Sequence, residues 1–226
     1  MATSSTDFIH KGISSDSETG ATQPPIYQSA AFEYDSSKEL EDVFNGRAFG
    51  HYYSRVSNPT VQALETRLTA IESGVGAVAV ASGMAAISTT ILALGKAGDN
   101  IVVGQSLFGS TYYLFEGLIK DAGIDVRFVD PTQVDQFKSN IDSKTRLLFC
   151  EAMGNPKLDV PDLKALVSLA NSFSIPLVVD GTFTTPYLLN AKQLGVHIVL
   201  YATTKYIAGG GTTIGGVIVD TGQMKW

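Results

Sequence analysis

The residues best suited to chemistry are an aspartate and a lysine 25 positions apart, each following an apolar run. Asp180 ends the run VVD, and Lys205 follows the run HIVLY (197–201) and two threonines. Groups just past the carboxyl ends of strands face the ligand crevice of an α/β sheet, so this pattern brings a carboxylate and an amine to one edge. A lysine that forms a Schiff base and an aspartate that pairs with a pyridinium nitrogen are what a pyridoxal phosphate site most needs. The pair therefore predicts such a site.

Each member of this pair also has an ordinary interpretation. An aspartate at a strand end often caps the next turn, and most lysines are surface charges. The pairing favours the cofactor, since a lysine in a partly desolvated crevice has its charged form disfavoured and becomes a better nucleophile. The hydroxyls of Thr203 and Thr204, which precede Lys205, can bond a phosphate.

A second candidate feature is the turn Ser82-Gly83-Met84, which joins a buried strand to a helix. Glycine lets the backbone approach a ligand closely, and the free N–H groups of a helix N-terminus attract anions. This turn predicts a phosphate-binding site, with an ordinary strand–helix turn as the alternative.

Three further residues could contact a cofactor. Asn155, in the sequence GNP, could bond a phenolic oxygen, although asparagine is also common in turns before proline. Tyr53 and Arg55 could clamp a phosphate, because arginine suits bidentate contacts. They could instead belong to a solvated loop, but a loop this rich in tyrosine and arginine is also typical of a subunit contact.

Strands and helices alternate in the segment that must position these residues. The apolar runs that predict strands lie at 77–81, 100–104, 125–130, 145–151, 176–180, 197–201 and 214–220. Alternation at this spacing favours an α/β fold with a doubly wound, mostly parallel sheet and helices on both faces.

The N-terminal part of the chain differs from this pattern. Residues 1–35 are polar and lack a sustained period, which predicts an extended arm. Ser36 and Glu39 match a capping box for a helix to Phe44, and Asn58-Pro59 predicts the start of a longer helix. We therefore divide the chain into an N-terminal arm with a subunit-contact segment (1–58) and a cofactor-binding domain (59–226).

Composition narrows the possible functions. The 226 residues carry a formal net charge of −6, with 44% hydrophobic and 17% charged residues. Neither this charge nor the absence of a Lys/Arg run favours nucleic-acid binding. The single cysteine, Cys150, lies in the apolar run LLFC and is expected to be a buried structural thiol in a reducing compartment. The sequence shows no run of about 18 apolar residues and no zinc pattern, so a cytoplasmic protein without a membrane span or metal is predicted.

Six segments together resemble one family. They are YSRVSNPT (53–60), ASGMAA (81–86), LFGSTYYLF (107–115), EAMGNPKLDVPD (151–162), VVDGTFTTP (178–186) and TTKYIAGGGTTIGG (203–216). In order and spacing they resemble the Cys/Met-metabolism family of fold-type-I pyridoxal phosphate enzymes, over essentially the whole chain. That family includes cystathionine γ-synthase, cystathionine lyases, methionine γ-lyase and O-acyl-homoserine sulfhydrylases.

The resemblance implies roles for individual residues. It makes Lys205 the Schiff-base lysine and proton shuttle, and Asp180 the partner of the pyridinium nitrogen. It assigns cofactor contacts to the backbone of Gly83 and Met84, the Thr204 hydroxyl and Asn155. It also implies that Tyr53 and Arg55 reach the phosphate of a neighbouring subunit, in a homotetramer built from two active dimers.

The sequence departs from the family pattern at three site positions. Phe108 stands where a tyrosine usually stacks on the ring, which keeps the stacking and loses the hydroxyl. Ala202 replaces a serine, which removes one phosphate hydrogen bond worth about 1 kcal/mol. Gly181 replaces an asparagine. The family's smaller second domain, which carries the arginine for the substrate carboxylate, is expected to lie outside these 226 residues.

The segments GTTIGGVIVD and MGNPKLDVPD resemble the sulfhydrylase branch of the family. We therefore expect a transferase in methionine biosynthesis that forms homocysteine from O-acetyl- or O-succinyl-homoserine and either sulfide or a sulfur carrier. The alternatives are γ-elimination or γ-synthesis, as in methionine γ-lyase or cystathionine γ-synthase, and a non-catalytic homologue or fragment.

Overall fold

A seven-stranded mixed sheet forms the centre of the computed structural model, which describes residues 5–226. The strands are β1 (Gly76–Val80), β2 (Asn100–Gly104), β3 (Asp125–Val129), β4 (Thr145–Glu151), β5 (Leu177–Asp180), β6 (Ile198–Tyr201) and β7 (Gly216–Asp220). Their order across the sheet is β1-β7-β6-β5-β4-β2-β3. The neighbours β3, β2, β4, β5 and β6 pair in parallel, whereas β7 is antiparallel to both β6 and β1. The predicted, mostly parallel sheet is confirmed.

The reversed direction of β7 follows from its connection to β6. Residues 202–215 form turns and bends. A parallel neighbour usually needs a crossover helix, and a connection without one favours an antiparallel pairing. This irregular connection carries Lys205.

Helices cover both faces of the sheet. They are α1 (Ser5–His10), α2 (Ser37–Phe44), α3 (Pro59–Glu72), α4 (Gly83–Leu94), α5 (Gly109–Leu114), α6 (Val134–Ser139), α7 (Leu163–Ser172), α8 (Thr185–Leu188) and α9 (Ala191–Leu194). A π-helical turn, Phe115–Ile119, continues α5.

The short helix α1 was not predicted, since residues 1–35 were expected to be extended throughout. A distant contact stabilises it: the Arg67 guanidinium donates to the carbonyl oxygens of Phe8 and Ile9, at 2.5 and 3.5 Å. Cations near a helix C-terminus bind its unsatisfied carbonyls, and this interaction is not visible in the local sequence. Residues 1–4 of the predicted arm lie outside the described residues.

The predicted helix starts are confirmed. The Ser36 hydroxyl accepts a hydrogen bond from the Glu39 N–H at 3.2 Å, and the Asn58 side chain accepts one from the Thr60 N–H at 2.9 Å. The arm is held at the start of α3, because the Tyr27 N–H donates to the Thr60 hydroxyl at 2.8 Å.

Two hydrophobic cores lie on opposite faces of the sheet, and alternate strand residues enter each. In β2, Ile101 and Val103 pack with α4 and the π-helical turn, whereas Val102 packs with α3 and α7. Cys150 is fully buried in the core that contains Val102. Burial raises the pKa of its thiol, as expected for a structural cysteine. Within residues 5–226, no helix is both long and apolar enough to cross a membrane.

Candidate active site

A cavity of about 760 Å³ lies at the carboxyl ends of β4, β5 and β6, beside the N-terminus of α4. Of the nine residues predicted for the site, seven line this cavity: Gly83, Met84, Phe108, Asn155, Asp180, Thr204 and Lys205. The structure therefore brings together residues that are more than a hundred positions apart in the chain. Tyr53 and Arg55 are not among its lining residues.

Asp180 ends β5 and is partly buried. Burial raises the pKa of its carboxyl group, and hydrogen bonds from Thr182 partly oppose this effect. One of these is the Thr182 N–H donating to Asp180 Oδ1 at 2.9 Å. Asp180 forms no ion pair with another residue of the described range 5–226, and a partly desolvated carboxylate of this kind is stabilised by a positively charged ligand. Asp180 is therefore suited to pair with a protonated ring nitrogen.

Thr182 was missed by the sequence analysis. Its hydroxyl oxygen accepts a hydrogen bond from the Ala202 N–H at 2.8 Å, so it ties the end of β5 to the turn that follows β6. This bond joins the segment with Asp180 to the segment with Lys205. A threonine two positions after a strand end gives no distinctive sequence signal, since such residues commonly serve in local turns.

Lys205 lies on the turn after β6 and is exposed. Within residues 5–226, its amine has no ion-pair or hydrogen-bond partner. The partly desolvated crevice expected around it is not seen, because the turn leaves Lys205 and Tyr206 at the rim of the cavity. A ligand that binds the Lys205 amine therefore does not have to displace a partner from residues 5–226.

The N-terminus of α4 forms a candidate anion site. The Ser82 hydroxyl accepts from the Ala85 N–H at 3.0 Å, and the Ser82 carbonyl accepts from the Ala86 N–H at 3.0 Å. The N–H groups of Gly83 and Met84 have no acceptor within residues 5–226. Two free donors at the positive end of a helix dipole form a cradle for a phosphate. These observations fit the phosphate group of the predicted cofactor.

The packing around Gly83 also leaves no space for a side chain. A Cβ atom at this position would lie 2.5 Å from the Cβ atom of Ala202, which is much closer than real side chains approach. The small residue at 202 therefore packs directly against the backbone of the anion site.

Thr204 has a structural partner in the described chain. Its hydroxyl donates to the Gly215 carbonyl at 3.2 Å and accepts from the Gly215 N–H at 3.1 Å. These bonds hold the start of β7 next to the turn that carries Lys205. The predicted contact between this hydroxyl and a phosphate remains a prediction.

A buried glutamate, Glu151, connects two other predicted residues. The N–H group of Phe108 donates to its Oε1 atom at 2.7 Å, and the N–H group of Asn155 donates to its Oε2 atom at 3.2 Å. Burial, reinforced by the nearby Asp180 charge, raises the Glu151 pKa to about 7. Sequence reasoning missed this residue, although Glu151 ends β4 as Asp180 ends β5, and the same strand-end argument applies to both.

The departures Gly181 and Ala202 have packing partners. A Cβ atom at Gly181 would lie 2.7 Å from Tyr201 Cε1, so the Tyr201 ring occupies the space of a side chain there. The Tyr201 hydroxyl in turn donates to the buried carboxylate of Glu72. These substitutions therefore belong to one packed arrangement beneath the site.

Tyr53 and Arg55 are exposed and contact each other. The Arg55 guanidinium carbon lies 5.4 Å from the centre of the Tyr53 ring. Tyr53 also forms an isolated antiparallel bridge with Ala31 of the arm. Both side chains are therefore exposed and do not line the cavity of their own chain.

The sheet order and the strand-end cavity define the large domain of a fold-type-I pyridoxal phosphate enzyme. Residues 5–226 match the model of the family described as Cys/Met metabolism PLP-dependent enzymes. The chain belongs to this family, and its cofactor is pyridoxal phosphate.

Individual relatives agree with this assignment. The chain is 40% identical over 222 residues to an O-acetyl-L-homoserine sulfhydrylase of Corynebacterium glutamicum, covering 98% of this chain and 51% of that protein. It superposes with a TM-score of 0.90 and 32% identity on a Campylobacter jejuni protein described as an O-acetylhomoserine (thiol)-lyase, covering 95% of this chain and 53% of the other. That structure contains N′-pyridoxyl-lysine-5′-monophosphate. A cystathionine γ-lyase of Lactobacillus plantarum is similar with a TM-score of 0.88 and 34% identity, covering 96% and 54%. The chain spans about half the length of the curated relatives it matches.

Proposed function

We propose that this chain is the cofactor-binding domain of a sulfhydrylase that forms homocysteine from an O-acyl-homoserine and a sulfur donor. The observation that carries this proposal is that one cavity contains Lys205, Asp180 and the N-terminus of α4 with its free N–H groups. The names of its relatives support the reaction, since the sulfhydrylase of C. glutamicum matches nearly the whole chain.

Each cavity residue then has a distinct task in holding the cofactor. Lys205 would attach it covalently, Asp180 would bond its ring nitrogen, and Asn155 would bond its phenolic oxygen. The N–H groups of Gly83 and Met84 would bind its phosphate. Bound pyridoxal phosphate supplies an electron sink for the charge that develops when an amino-acid substrate loses its α-proton.

Proton transfer at the substrate falls to Lys205, whose amine has no competing partner among the described residues. Phe108 lies at the cavity with 46% of its surface exposed and offers a ring for stacking. It has no hydroxyl to donate a proton to a leaving group. An acyl ester leaves as a carboxylate and needs less proton assistance than a thiol, which favours O-acyl-homoserine as the substrate.

A spectroscopic experiment tests the cofactor assignment directly. Purified protein mixed with pyridoxal phosphate should show a visible absorption band that borohydride abolishes, and peptide mapping should place the reduced label on Lys205. Lys205→Ala should show neither the band nor the label. A label spread over surface lysines would contradict the proposal.

Product analysis tests the reaction. O-acetyl- and O-succinyl-homoserine are each offered with sulfide, and with a carrier protein that ends in a thiocarboxylate. Homocysteine should form in a sulfur-dependent manner.

The similarity to the L. plantarum cystathionine γ-lyase supports γ-elimination as a second candidate. That reaction would break the Cγ–S bond of methionine or cystathionine and release a thiol (methanethiol or cysteine), 2-oxobutanoate and ammonia without added sulfur. Formation of these products at a higher rate than homocysteine would favour the second candidate over the first.

The exposed pair Tyr53 and Arg55 supports a proposal about assembly. We infer that they complete the phosphate site of a second copy of the chain, within a homo-oligomer of active dimers. Mixing Arg55→Ala with Lys205→Ala subunits should restore one intact site per dimer, because each variant supplies what the other lacks. No restoration after mixing and refolding would contradict a shared site.

A further inference from the structure

The carboxylate of Glu151 occupies a position in the cavity that the proposed function does not use. Glu151 is buried, and both of its oxygen atoms accept hydrogen bonds from backbone N–H groups. One bond goes to Phe108, 43 residues earlier, and the other goes to Asn155, four residues later. One side chain therefore joins two segments that each end in a cavity-lining side chain.

We propose that Glu151 is a positioning residue that fixes the Phe108 ring and the Asn155 amide relative to each other for cofactor binding. This inference rests on the proposed function of the cavity. Phe108 begins the turn into α5, and Asn155 lies on the loop after β4. The Ser106 hydroxyl, which donates to Asp159 Oδ2 at 2.5 Å, also joins these two segments. Glu151 is nevertheless the side chain that bonds the Phe108 and Asn155 N–H groups themselves. A hydrogen bond to a charged acceptor is roughly twice as strong as a neutral one, so the clamp is strongest above the Glu151 pKa of about 7, where the carboxylate is ionised.

Glu151 also contributes charge beside Asp180. The two residues pair in register at the ends of β4 and β5. The other titratable side chains that line the cavity are Lys205 and Tyr206, and Cys150 lies behind Glu151 in the core. The nearby Asp180 charge raises the pKa of Glu151. Glu151 therefore holds Phe108 and Asn155 through hydrogen bonds and lies close enough to Asp180 for the two charges to interact.

Two substitutions separate these effects. Glu151→Gln removes the charge and leaves one acceptor oxygen, so its amide group must face one of the two N–H donors. Glu151→Asp keeps the charge, but its shorter side chain cannot span both segments. Glu65→Gln is a matched control, because Glu65 accepts a backbone hydrogen bond from Ala79 at 2.8 Å and is not a cavity-lining residue.

Cofactor binding is measured by absorbance titration of the 226-residue chain with pyridoxal phosphate, and folding is checked by circular dichroism and thermal unfolding. Both Glu151 variants should bind the cofactor about tenfold more weakly, because Glu151→Asp loses one hydrogen bond and Glu151→Gln loses one bond and the charge that strengthens the other. The Glu65 variant should bind like the wild type. If Glu151→Gln does not fold, Glu151→Asp alone tests the clamp.

Two further readouts separate the charge of Glu151 from its hydrogen bonds, and the first of them would not respond to a merely structural role. The pH profile of the bound cofactor's absorbance should shift in Glu151→Gln, which removes the charge facing Asp180, and stay unchanged in Glu151→Asp. Hydrogen exchange of the cofactor-free protein should increase, in either variant, at whichever of the Phe108 and Asn155 amides loses its acceptor.

The outcomes distinguish this inference from the function on which it rests. Wild-type affinity in the Glu151 variants, or an equal loss in Glu65→Gln, would overturn the positioning role alone. Wild-type exchange at both the Phe108 and the Asn155 amides in both variants would also overturn the clamp. Wild-type protein that binds no pyridoxal phosphate would overturn the proposed function and the positioning role together.

Discussion

The strand ends that carry Asp180 and Glu151 differ in construction from the segment 202–215 that carries Lys205. Both carboxylates emerge from buried strands and hold backbone N–H groups of neighbouring turns. Lys205, Tyr206 and Ile214 are exposed on a Gly-rich connection. The carboxylate side of the cavity, formed by Asp180 and Glu151, is thus positioned by strands of the hydrophobic core. The amine side, formed by the segment 202–215 with Lys205, is held by a few hydrogen bonds at the rim of the cavity. Substitutions on the carboxylate side should therefore mainly lower the free energy of unfolding, whereas substitution of Lys205 on the amine side should mainly impair cofactor attachment.

The strongest effect on the carboxylate side should be a pH dependence of stability. The Glu151 pKa is raised from 4.5 to about 7 in the folded protein, which corresponds to about 3 kcal/mol. The folded state binds more protons than the unfolded state between these values, so the free energy of unfolding falls as pH rises through this window. Denaturant unfolding at pH 4.5 and 7.5 should show a smaller fall in Glu151→Gln than in wild type.

His197 contributes a pH dependence of the free energy of unfolding with the opposite sign. This contribution is the same in wild type and in Glu151→Gln, so it cancels when the two proteins are compared. This buried histidine accepts a hydrogen bond from the Leu177 N–H, and burial lowers its pKa. Its contribution to stability is lost as pH falls below about 6.5, in wild type and in variant alike. Equal pH slopes in the two proteins would show that Glu151 is not protonated near neutrality.

A pair of glycine substitutions compares packing on the two sides. Gly181→Ala places a Cβ atom 2.7 Å from the Tyr201 ring, and this overpacking should cost about 2 kcal/mol. Gly210→Ala, in the exposed segment, meets its nearest atom at 3.6 Å and should change stability by less than about 0.5 kcal/mol. Thermal unfolding of both variants measures the difference. Similar costs at the two positions would remove the distinction between the sides.

A threonine pair provides a smaller test of the same distinction. Thr182→Val removes the acceptor of the Ala202 N–H and should lower the free energy of unfolding by about 1 kcal/mol. It should also weaken cofactor attachment, since the bond ties the Asp180 turn to the Lys205 turn. Thr212→Val, on the exposed segment, should leave both properties unchanged. Loss of stability in both variants would argue that the segment 202–215 is as tightly held as the strand ends.

The same distinction explains how much the sequence predicted. The apolar runs fixed the strands, and the strand-end rule located Asp180 and Lys205, because burial of a sheet produces a strong local pattern. Glu151 obeyed the same rule and begins the segment EAMGNPKLDVPD, but it was overlooked because its hydrogen-bond partner Phe108 lies 43 residues earlier in the chain. Thr182 and the Arg67 contact with α1 could not be predicted, because both depend on which segments meet in space.

The smallest effect on stability should occur at the most important residue. Lys205 is exposed and has no side-chain partner within residues 5–226, so Lys205→Ala should change the free energy of unfolding of the cofactor-free protein by less than about 0.5 kcal/mol. The same change should abolish covalent attachment of pyridoxal phosphate, whereas Lys192→Ala, which removes a 2.6 Å bond to the Ser73 carbonyl, should leave attachment intact. Denaturant unfolding and borohydride labelling of the two variants measure these effects. A large destabilisation by Lys205→Ala would mean that the rim depends on this amine for its structure, and the contrast between a rigid carboxylate side and a loosely held amine side would then fail.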